Sequence, residues 1–269
     1  MTLASPPNGS APRRPGTPPS TREFYDRLAD HYHLVYADWE ASIERQGAAL
    51  RRILQAKWPQ PVKTVLDAAC GIGTQSLALA RAGFRVTASD LSPGAIERAQ
   101  REAEERGLEL AFAVADMRFL SEVHRGTFDL VLAADNAITH LLDETEISRT
   151  FQQFYRCTRP GGGCLISVRD YSQLPTEGVH FEPHGVREVD GGRQVLFQVW
   201  KFDGSIYETS LYRVTDGGDG VCQTEVGRAL YHAIAIPRLI QLMENAGYQA
   251  VERIDGAFFQ PVLIGLRPA

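Results

Sequence analysis

The pattern of apolar and polar positions divides the chain into segments of different kinds. Residues 1–20 are crowded with Pro, Ser and Gly and hold almost nothing that could be buried, which predicts a disordered tail. Residues 21–60 carry apolar side chains at helical spacing and predict two amphipathic helices that cover the main domain. Residues 61–175 alternate short apolar runs with helical patterns. That alternation is typical of a parallel sheet with helices on both faces.

The last third of the chain follows a different pattern. Residues 176–231 alternate apolar and polar positions between glycine-containing turns, which predicts about three antiparallel strands. The segment is too long for a plain connection, so we expect a small β cap inserted over the functional site. Residues 232–269 predict a helix that ends at Gly247, followed by strands that complete the core.

The stretch VLDAACGIGTQS, residues 65–76, predicts a buried strand, a tight turn and the start of a helix. Gly71 and Gly73 stand in the turn, where residues without bulky side chains let a ligand lie against the backbone. Asp67 ends the strand just before the turn. A ligand site at the turn is therefore expected.

Acidic or amide residues follow four successive predicted strands. They are Asp67, Asp90, Asp116 and the pair Asp135–Asn136. The ligand crevice of an open α/β sheet lies at the carboxyl ends of its strands, and a carboxylate about twenty residues after the first glycines accepts hydrogen bonds from ribose hydroxyls. The four positions together predict a ligand of the nucleoside type.

Composition and charge exclude several classes of function. The 269 residues include 28 Lys and Arg against 33 Asp and Glu, without a basic run, so a nucleic-acid partner is not expected. Neither a membrane-spanning run nor an apolar signal-peptide region is seen, which favours a cytoplasmic protein without membrane contact. The four cysteines lack metal-ligand spacing, so reduced thiols and no metal site are expected.

The glycine turn decides between nucleoside ligands. A nicotinamide-binding turn usually has a third glycine, which Gly71-Ile-Gly73-Thr-Gln-Ser lacks, and Asp67 would repel a pyrophosphate. The acid followed by a small-residue G-x-G turn resembles the first motif of the class I methyltransferases that use S-adenosylmethionine. The resemblance covers about residues 65 to 170 and implies an α/β fold with a Rossmann-like, doubly wound, seven-stranded sheet. The antiparallel β cap is an insertion in that fold.

The resemblance also implies which residues bind the cofactor. Backbone of the turn would approach the methionine part, Asp90 would hold the ribose hydroxyls, and Asp116 would accept from the adenine amino group. The full set implied is Asp67, Ala69, Cys70, Gly71, Gly73, Asp90, Leu91, Asp116, Met117 and Ala134. Arg45 stands about as far before the first motif as the arginine that pairs with the cofactor carboxylate in related enzymes.

A narrower resemblance is carried by Ala134-Asp-Asn136-Ala-Ile-Thr-His140-Leu and by Val168-Arg169-Asp170-Tyr171. These stretches resemble the L-G-N-x-x-x-H-L loop and the R-N-Y motif of the glycine and sarcosine N-methyltransferases. The resemblance implies that Asn136 and His140 act in catalysis and that Arg169 and Tyr171 bind the acceptor, with Arg169 gripping a carboxylate. Asp135 stands where that family has glycine, which favours a more cationic acceptor.

The sequence therefore predicts an S-adenosylmethionine-dependent methyltransferase whose partner is a small methyl acceptor. An amine nitrogen, in a glycine-like molecule or an amino sugar, is the favoured acceptor, with His140 as the group that deprotonates or orients it. Small-molecule O-methylation is the alternative within enzymes. A nucleotide-dependent dehydrogenase and a catalytically silent cofactor-binding module remain as other classes, and the oligomeric state stays open.

Overall fold

The computed structural model describes residues 20–58, 60–174, 177–189, 192–218 and 220–269. The predicted tail therefore lies outside the described residues, except for Ser20. Ser20 caps the first helix, because its hydroxyl oxygen accepts from the backbone N–H of Glu23 and its own N–H donates to the Glu23 carboxylate.

The helices of the described residues are formed close to where the apolar periodicity predicts them. In chain order they are α1 (Thr21–Leu28), α2 (Trp39–Lys57), α3 (Thr74–Arg81), α4 (Pro93–Glu105), α5 (Leu120–Val123), α6 (Glu144–Cys157) and α7 (Ile236–Asn245). Short 3-10 turns occupy Tyr32–Val35, Met117–Phe119, Ala137–His140 and Tyr171–Gln173. None of the helices in the described part of the chain is long and apolar enough to cross a membrane.

The strands form two separate sheets. In chain order they are β1 (Thr64–Asp67), β2 (Arg85–Asp90), β3 (Ala111–Val114), β4 (Phe128–Ala133), β5 (Thr158–Ser167), β6 (Val179–Val189), β7 (Gly192–Asp203), β8 (Ile206–Asp216), β9 (Cys222–His232), β10 (Gln249–Ile254) and β11 (Val262–Leu266). The central sheet has seven strands in the order β10-β11-β5-β4-β1-β2-β3, and the other has four in the order β6-β7-β8-β9. The α/β, Rossmann-like fold class is confirmed.

The pattern predicted a parallel sheet, whereas the central sheet is mixed. Strands β1 to β5 run parallel, and β11 runs antiparallel to both β5 and β10. A parallel return needs a crossover of a dozen or more residues, usually a helix, but only the short loop 255–261 joins β10 to β11. The core lies on both faces of this sheet, with Phe151 and Leu239 on one face and Leu50 and Ile96 on the other.

The β cap has four strands rather than about three. One of its faces, here called the inner face, carries the buried side chains Trp200, Tyr207, Leu211 and Ala229. Helix α1 packs on this face at β9, where a Cβ at Gly227 would lie 2.8 Å from the ring of Phe24. Glycine is therefore required at this position for α1 to approach the cap.

Candidate active site

A cavity of about 570 Å³ lies at the carboxyl ends of β1 to β4, beneath α1. On the sheet side it is lined by Ala68, Ala69, Cys70, Gly71, Ile72, Thr74, Gln75, Asp90, Leu91, Ser92, Ala95, Ala115, Asp116, Met117, Arg118, Ala134 and Asp135. On the side of the cover it is lined by Ser20, Thr21, Arg22, Tyr25, Ala29, Tyr32 and Tyr36. The segment after β4 closes it with Ala137, His140, Leu141, Leu142, Asp143 and Glu146. The predicted crevice at the strand tips is thus a cavity that α1 and the segment after β4 cover in part.

The glycine turn adopts backbone angles that disfavour other residues. Gly71 has a φ of +54° and Gly73 a φ of +95°. A Cβ at Gly71 would meet no protein atom within 4 Å, so the space beside this backbone is free for a ligand. The Gly71 N–H donates to Asp90 Oδ2 at 2.8 Å, which ties the turn to the tip of β2.

Asp67 and Gly73 lie beneath the turn and do not line the cavity. Asp67 Oδ2 accepts from the Ser76 hydroxyl at 2.7 Å, and burial raises the pKa of Asp67 to about 7. Gly73 precedes α3 and lies close to Leu77. Direct cofactor contact is therefore not assigned to these two residues, which shape the turn from below.

Asp90 keeps part of its carboxylate available to the cavity. It accepts the N–H of Gly71 and the N–H of Ser92, the latter at 2.9 Å, and a carboxylate offers about four lone-pair sites. Burial raises the pKa of Asp90, and these hydrogen bonds oppose the shift. The cover is anchored beside it, because Asp26 of α1 accepts from the Ser92 hydroxyl at 2.6 Å. Asp90 thus keeps acceptor capacity for a ligand in the cavity.

Asp116 and Met117 line the same end of the cavity, but the Asp116 carboxylate is engaged. Arg118 Nε lies 3.0 Å from both of its oxygens, and Arg118 Nη2 lies 2.6 Å from Oδ2. Arg118 also pairs with Glu146 of α6. The predicted hydrogen bond from adenine to Asp116 therefore competes with Arg118. The sequence reasoning missed this arginine, although it directly follows the Asp116-Met117 signal.

Asp135 stands at the opposite end of the cavity in a left-handed backbone conformation. The φ angles of Asp135 and Asn136 are +54° and +65°, which is costly outside glycine and recurs at functional sites. The turn is fixed because the Asp135 N–H donates to the Ser167 hydroxyl at 2.7 Å. Removal from bulk water raises the pKa of Asp135, whereas the charge of Arg169 and a hydrogen bond from Tyr36 lower it.

Aromatic rings surround the cavity near Asp135. The ring centroids of Tyr25 and Tyr32 are 6.0 Å apart, those of Tyr32 and Tyr36 are 6.2 Å apart, and His140 lies 5.3 Å from Tyr25. The hydroxyl of Tyr36 donates to Asp135 Oδ2 at 3.4 Å. This end of the cavity thus combines one carboxylate with several π faces, which suits a cation.

His140 lines the cavity but is already paired through both ring nitrogens. Nδ1 lies 3.3 Å from the Leu230 carbonyl oxygen, which can only accept, so Nδ1 carries the proton and Nε2 accepts from the Tyr25 hydroxyl at 2.8 Å. Desolvation lowers the pKa of His140 to about 4. The predicted role of His140 as a base is therefore not supported, because the lone pair on Nε2 already accepts a hydrogen bond from Tyr25.

We expect His140 to stay neutral from about pH 8 down to about pH 5.5, far from the usual midpoint near 6.5. Because its folded-state pKa is lowered, protonation favours unfolding, and its contribution to stability is lost as the pH falls from about 6.5 towards 4. Proton NMR of the imidazole signals against pH would measure this. Tyr25→Phe, which removes the donor to Nε2, identifies the signal of His140 by its shift. A midpoint near 6.5 for that signal would contradict the assignment.

Three other predicted residues lie behind the cavity wall. Asn136 donates through Nδ2 to the Tyr171 hydroxyl at 2.8 Å and accepts the Arg169 N–H at 3.0 Å. The Arg169 guanidinium donates to the Tyr207 hydroxyl at 3.1 Å and lies 4.4 Å from the ring of Trp200. None of these residues lines the cavity. Asn136, Arg169 and Tyr171 are thus joined to one another and to Tyr207 by hydrogen bonds within the fold.

Arg45 is also placed outside the cavity. It lies on the exposed face of α2, and its guanidinium donates to the Ser42 hydroxyl at 3.3 Å. Thr74 and Gln75 line the cavity wall. The side-chain amide of Gln75 donates to Gln46 Oε1 at 2.7 Å. Sequence reasoning missed these residues, although Thr74 and Gln75 directly follow the glycine turn at the start of α3.

The comparisons with known proteins agree with this architecture. Residues 65–162 match the methyltransferase domain family. The chain is 29% identical over 234 residues to a glycine/sarcosine N-methyltransferase of Parasynechococcus marenigrum, covering 78% of this chain and 80% of that protein. It is 40% identical over 110 residues to a ubiquinone biosynthesis O-methyltransferase of Methylocella silvestris, covering 39% of this chain and 40% of that protein.

A solved structure shares the fold over most of the chain. It is SAM-bound CalS10, an amino pentose methyltransferase from Micromonospora echinaspora, with a TM-score of 0.73 at 16% identity, covering 88% of this chain and 95% of that one. The cavity at the strand tips, the glycine turn and these similarities all point to the same kind of protein. Together they support a class I S-adenosylmethionine-dependent methyltransferase.

Proposed function

We propose that this methyltransferase transfers its methyl group to the amine nitrogen of a small, cationic acceptor. The observation that carries the proposal is the Asp135 carboxylate, withdrawn from bulk water at one end of the cavity and faced by tyrosine rings. A carboxylate among aromatic faces stabilises an ammonium group, whereas it gives a neutral hydroxyl acceptor no comparable advantage. Nitrogen is therefore favoured over oxygen.

The chain's residues fit the cofactor at the other end. The open space beside Gly71 and the unused lone pairs of Asp90 suit a ligand with a hydroxyl-bearing ribose close to the backbone. We propose that Asp90 holds the ribose hydroxyls and that Leu91 and Met117 pack on the adenine. Arg118, held by Asp116, closes that end. We propose that the methionine part lies beside Thr74 and Gln75, which line the cavity.

The reaction requires little chemistry from the protein beyond alignment and exclusion of water. Bound S-adenosylmethionine supplies an activated methyl group on a sulfonium centre. The nitrogen must be neutral to react, so the ammonium proton has to leave first. We propose that the Asp135 carboxylate accepts this proton, because its raised pKa makes it a better base than an exposed aspartate. The tyrosines of the cover keep water away from the acceptor.

The position of Arg169 bears on the class of amine. Its guanidinium donates through Nη1 to the Tyr207 hydroxyl and lies over the ring of Trp200, and Arg169 does not line the cavity, so the cavity wall presents no guanidinium fork at this position to an acceptor carboxylate. We therefore favour an amine whose neighbouring atoms bear hydroxyl or apolar groups, such as an amino sugar, over glycine or sarcosine.

An acceptor panel tests the proposal. The full chain is incubated with S-adenosylmethionine and, separately, an amino sugar, a simple secondary amine, glycine, sarcosine and a catechol, and S-adenosylhomocysteine release and methylated product are measured by mass spectrometry. We expect N-methylated products, with the non-carboxylate amines preferred. Methylation of the catechol alone would overturn the choice of nitrogen, and a strong preference for glycine would overturn the role given to Arg169.

A further inference from the structure

The second face of the β cap, here called the outer face, carries an uncovered apolar surface. Strand register places alternate residues of β6 to β9 on this face. Its centre is formed by Phe181, Val186, Val195, Phe197, Tyr212 and Val226. The aromatic rings are continuous, since the centroids of Phe181 and Phe197 are 5.3 Å apart and Phe197 stacks on Tyr212 at 4.8 Å.

Three of these side chains are exposed in the described chain, and Val195, Phe197 and Tyr212 are partly exposed. Phe181, Val186 and Val226 are 64%, 56% and 37% exposed. The buried clusters at the cap use the inner face, through Trp200, Tyr207 and their neighbours. Strand β7 is apolar on both faces, a pattern typical of strands buried on both sides. A surface of this kind marks an interaction site.

We propose that the outer face is the interface between two copies of this chain, stacked sheet to sheet. Four strands of about eleven residues span on the order of 19 Å by 36 Å, so pairing two such faces would bury on the order of 1,400 Å² in total. Stable interfaces bury about 1,200 to 2,000 Å². The face is therefore large enough for a lasting dimer.

The charges at the ends of the face suit a second copy. One end holds the pair Arg193 and Asp216, and the other holds Arg228 and Glu208. Each end thus offers both signs, and a two-fold axis can match either end with an opposite charge on the partner. An apolar centre with a charged rim is the usual composition of a protein interface.

The chain outside the described residues offers no better occupant. Residues 1–19 contain Met1 and Leu3 as their only large apolar side chains and no aromatic ring. Such a segment cannot cover an aromatic and valine-rich sheet face of this size. A second copy supplies a matching apolar surface without any further component.

The test is the mass in solution of the full chain and three variants, measured by light scattering after gel filtration at about 50 μM. Interfaces of this size bind at micromolar Kd or tighter, so the wild type should show twice the 29.7 kDa of one chain. Tyr212→Glu and Val226→Glu should each raise the dimer Kd about 30-fold or more, as changes at interface hot spots do. Val123→Glu, at a 47% exposed valine on α5, should remain dimeric.

The choice of positions separates face stacking from pairing along the edge strand β6. Tyr212 lies on β8 and Val226 on β9, two and three strands from β6. Edge pairing would leave both variants dimeric, and that result would overturn the proposal, as would a monomeric wild type. Circular dichroism and S-adenosylhomocysteine binding verify folding. If Tyr212→Glu fails to fold, the Kd of Val226→Glu decides alone, because Val226 is already partly exposed.

Discussion

Replacing Asp135 by Asn should lower kcat/KM for the acceptor by about 10²- to 10⁴-fold, the usual contribution of a general base. The amide has nearly the same shape and keeps the contact with the Tyr36 hydroxyl, but it can neither hold a proton nor balance an ammonium charge. Cofactor affinity should change by less than about threefold, because Asp135 follows β4, two strands away from β2 and Asp90 in the sheet. Steady-state kinetics and calorimetry with S-adenosylhomocysteine measure the two effects.

The pH profile gives the same prediction a second test. In the wild type, an ionised Asp135 and an ammonium acceptor react together, so kcat/KM should be flat between the pKa of Asp135 and that of the amine. The Asp135→Asn variant needs amine that is already neutral, so its kcat/KM should rise about tenfold per pH unit below the amine pKa. Asp203→Asn, at an exposed position of the cap, is the matched control and should behave as wild type. A variant at Asp135 with wild-type rates would remove the base from the mechanism.

Replacing Asp90 by Ala should weaken S-adenosylhomocysteine binding by about 10²- to 10⁴-fold. Two hydrogen bonds to a charged acceptor contribute about 1.5 to 3 kcal/mol each, and both ribose bonds would be lost. The substitution also frees the Gly71 N–H, so the turn loses its tie to β2. Isothermal titration calorimetry measures the affinity directly.

Asp90→Asn separates the two contributions of the carboxylate. It keeps one acceptor oxygen and nearly the same volume, so its affinity should lie between those of the wild type and the Ala variant. The melting temperature without ligand shows whether the fold survives. An Ala variant that is folded and binds S-adenosylhomocysteine as tightly as the wild type would disprove the placement of the ribose at Asp90.

The helices and turns could be predicted from the sequence wherever they depend on residues close together in the chain. Ser92 followed by Pro93 is typical of a helix start, and α4 begins there, just as α6 begins after Asp143, whose side chain accepts from the Glu146 N–H, because capping depends on neighbours three residues apart. The tight turn at Gly71 and Gly73 was likewise expected, and both residues have positive φ angles that other residues rarely adopt. The division of the chain at residues 61–175 and 176–231 stays a prediction.

The partners of the site residues were decided by the tertiary structure alone. Tyr25 reaches His140 across 115 positions of the chain, and Tyr36 reaches Asp135 across 99. Apolar periodicity reports which residues are buried, but it does not report which distant polar groups meet. For that reason the resemblance predicted that Asn136, His140 and Arg169 act on the substrate. In the structure their side chains form hydrogen bonds with Tyr171, Tyr25 and Tyr207, respectively.

The sequence by itself determined the α/β fold, the glycine turn of residues 65–76 and the acids at the strand tips, because each depends on residues close together in the chain. Only the tertiary structure decided that Asp67 lies beneath that turn, that Arg118 engages Asp116, and that α1 covers the cavity. It also decided that the Asp135 carboxylate lines the cavity and that both ring nitrogens of His140 are hydrogen-bonded, to Tyr25 and to the Leu230 carbonyl. Such assignments depend on long-range packing, which fixes where each side chain's hydrogen bonds go.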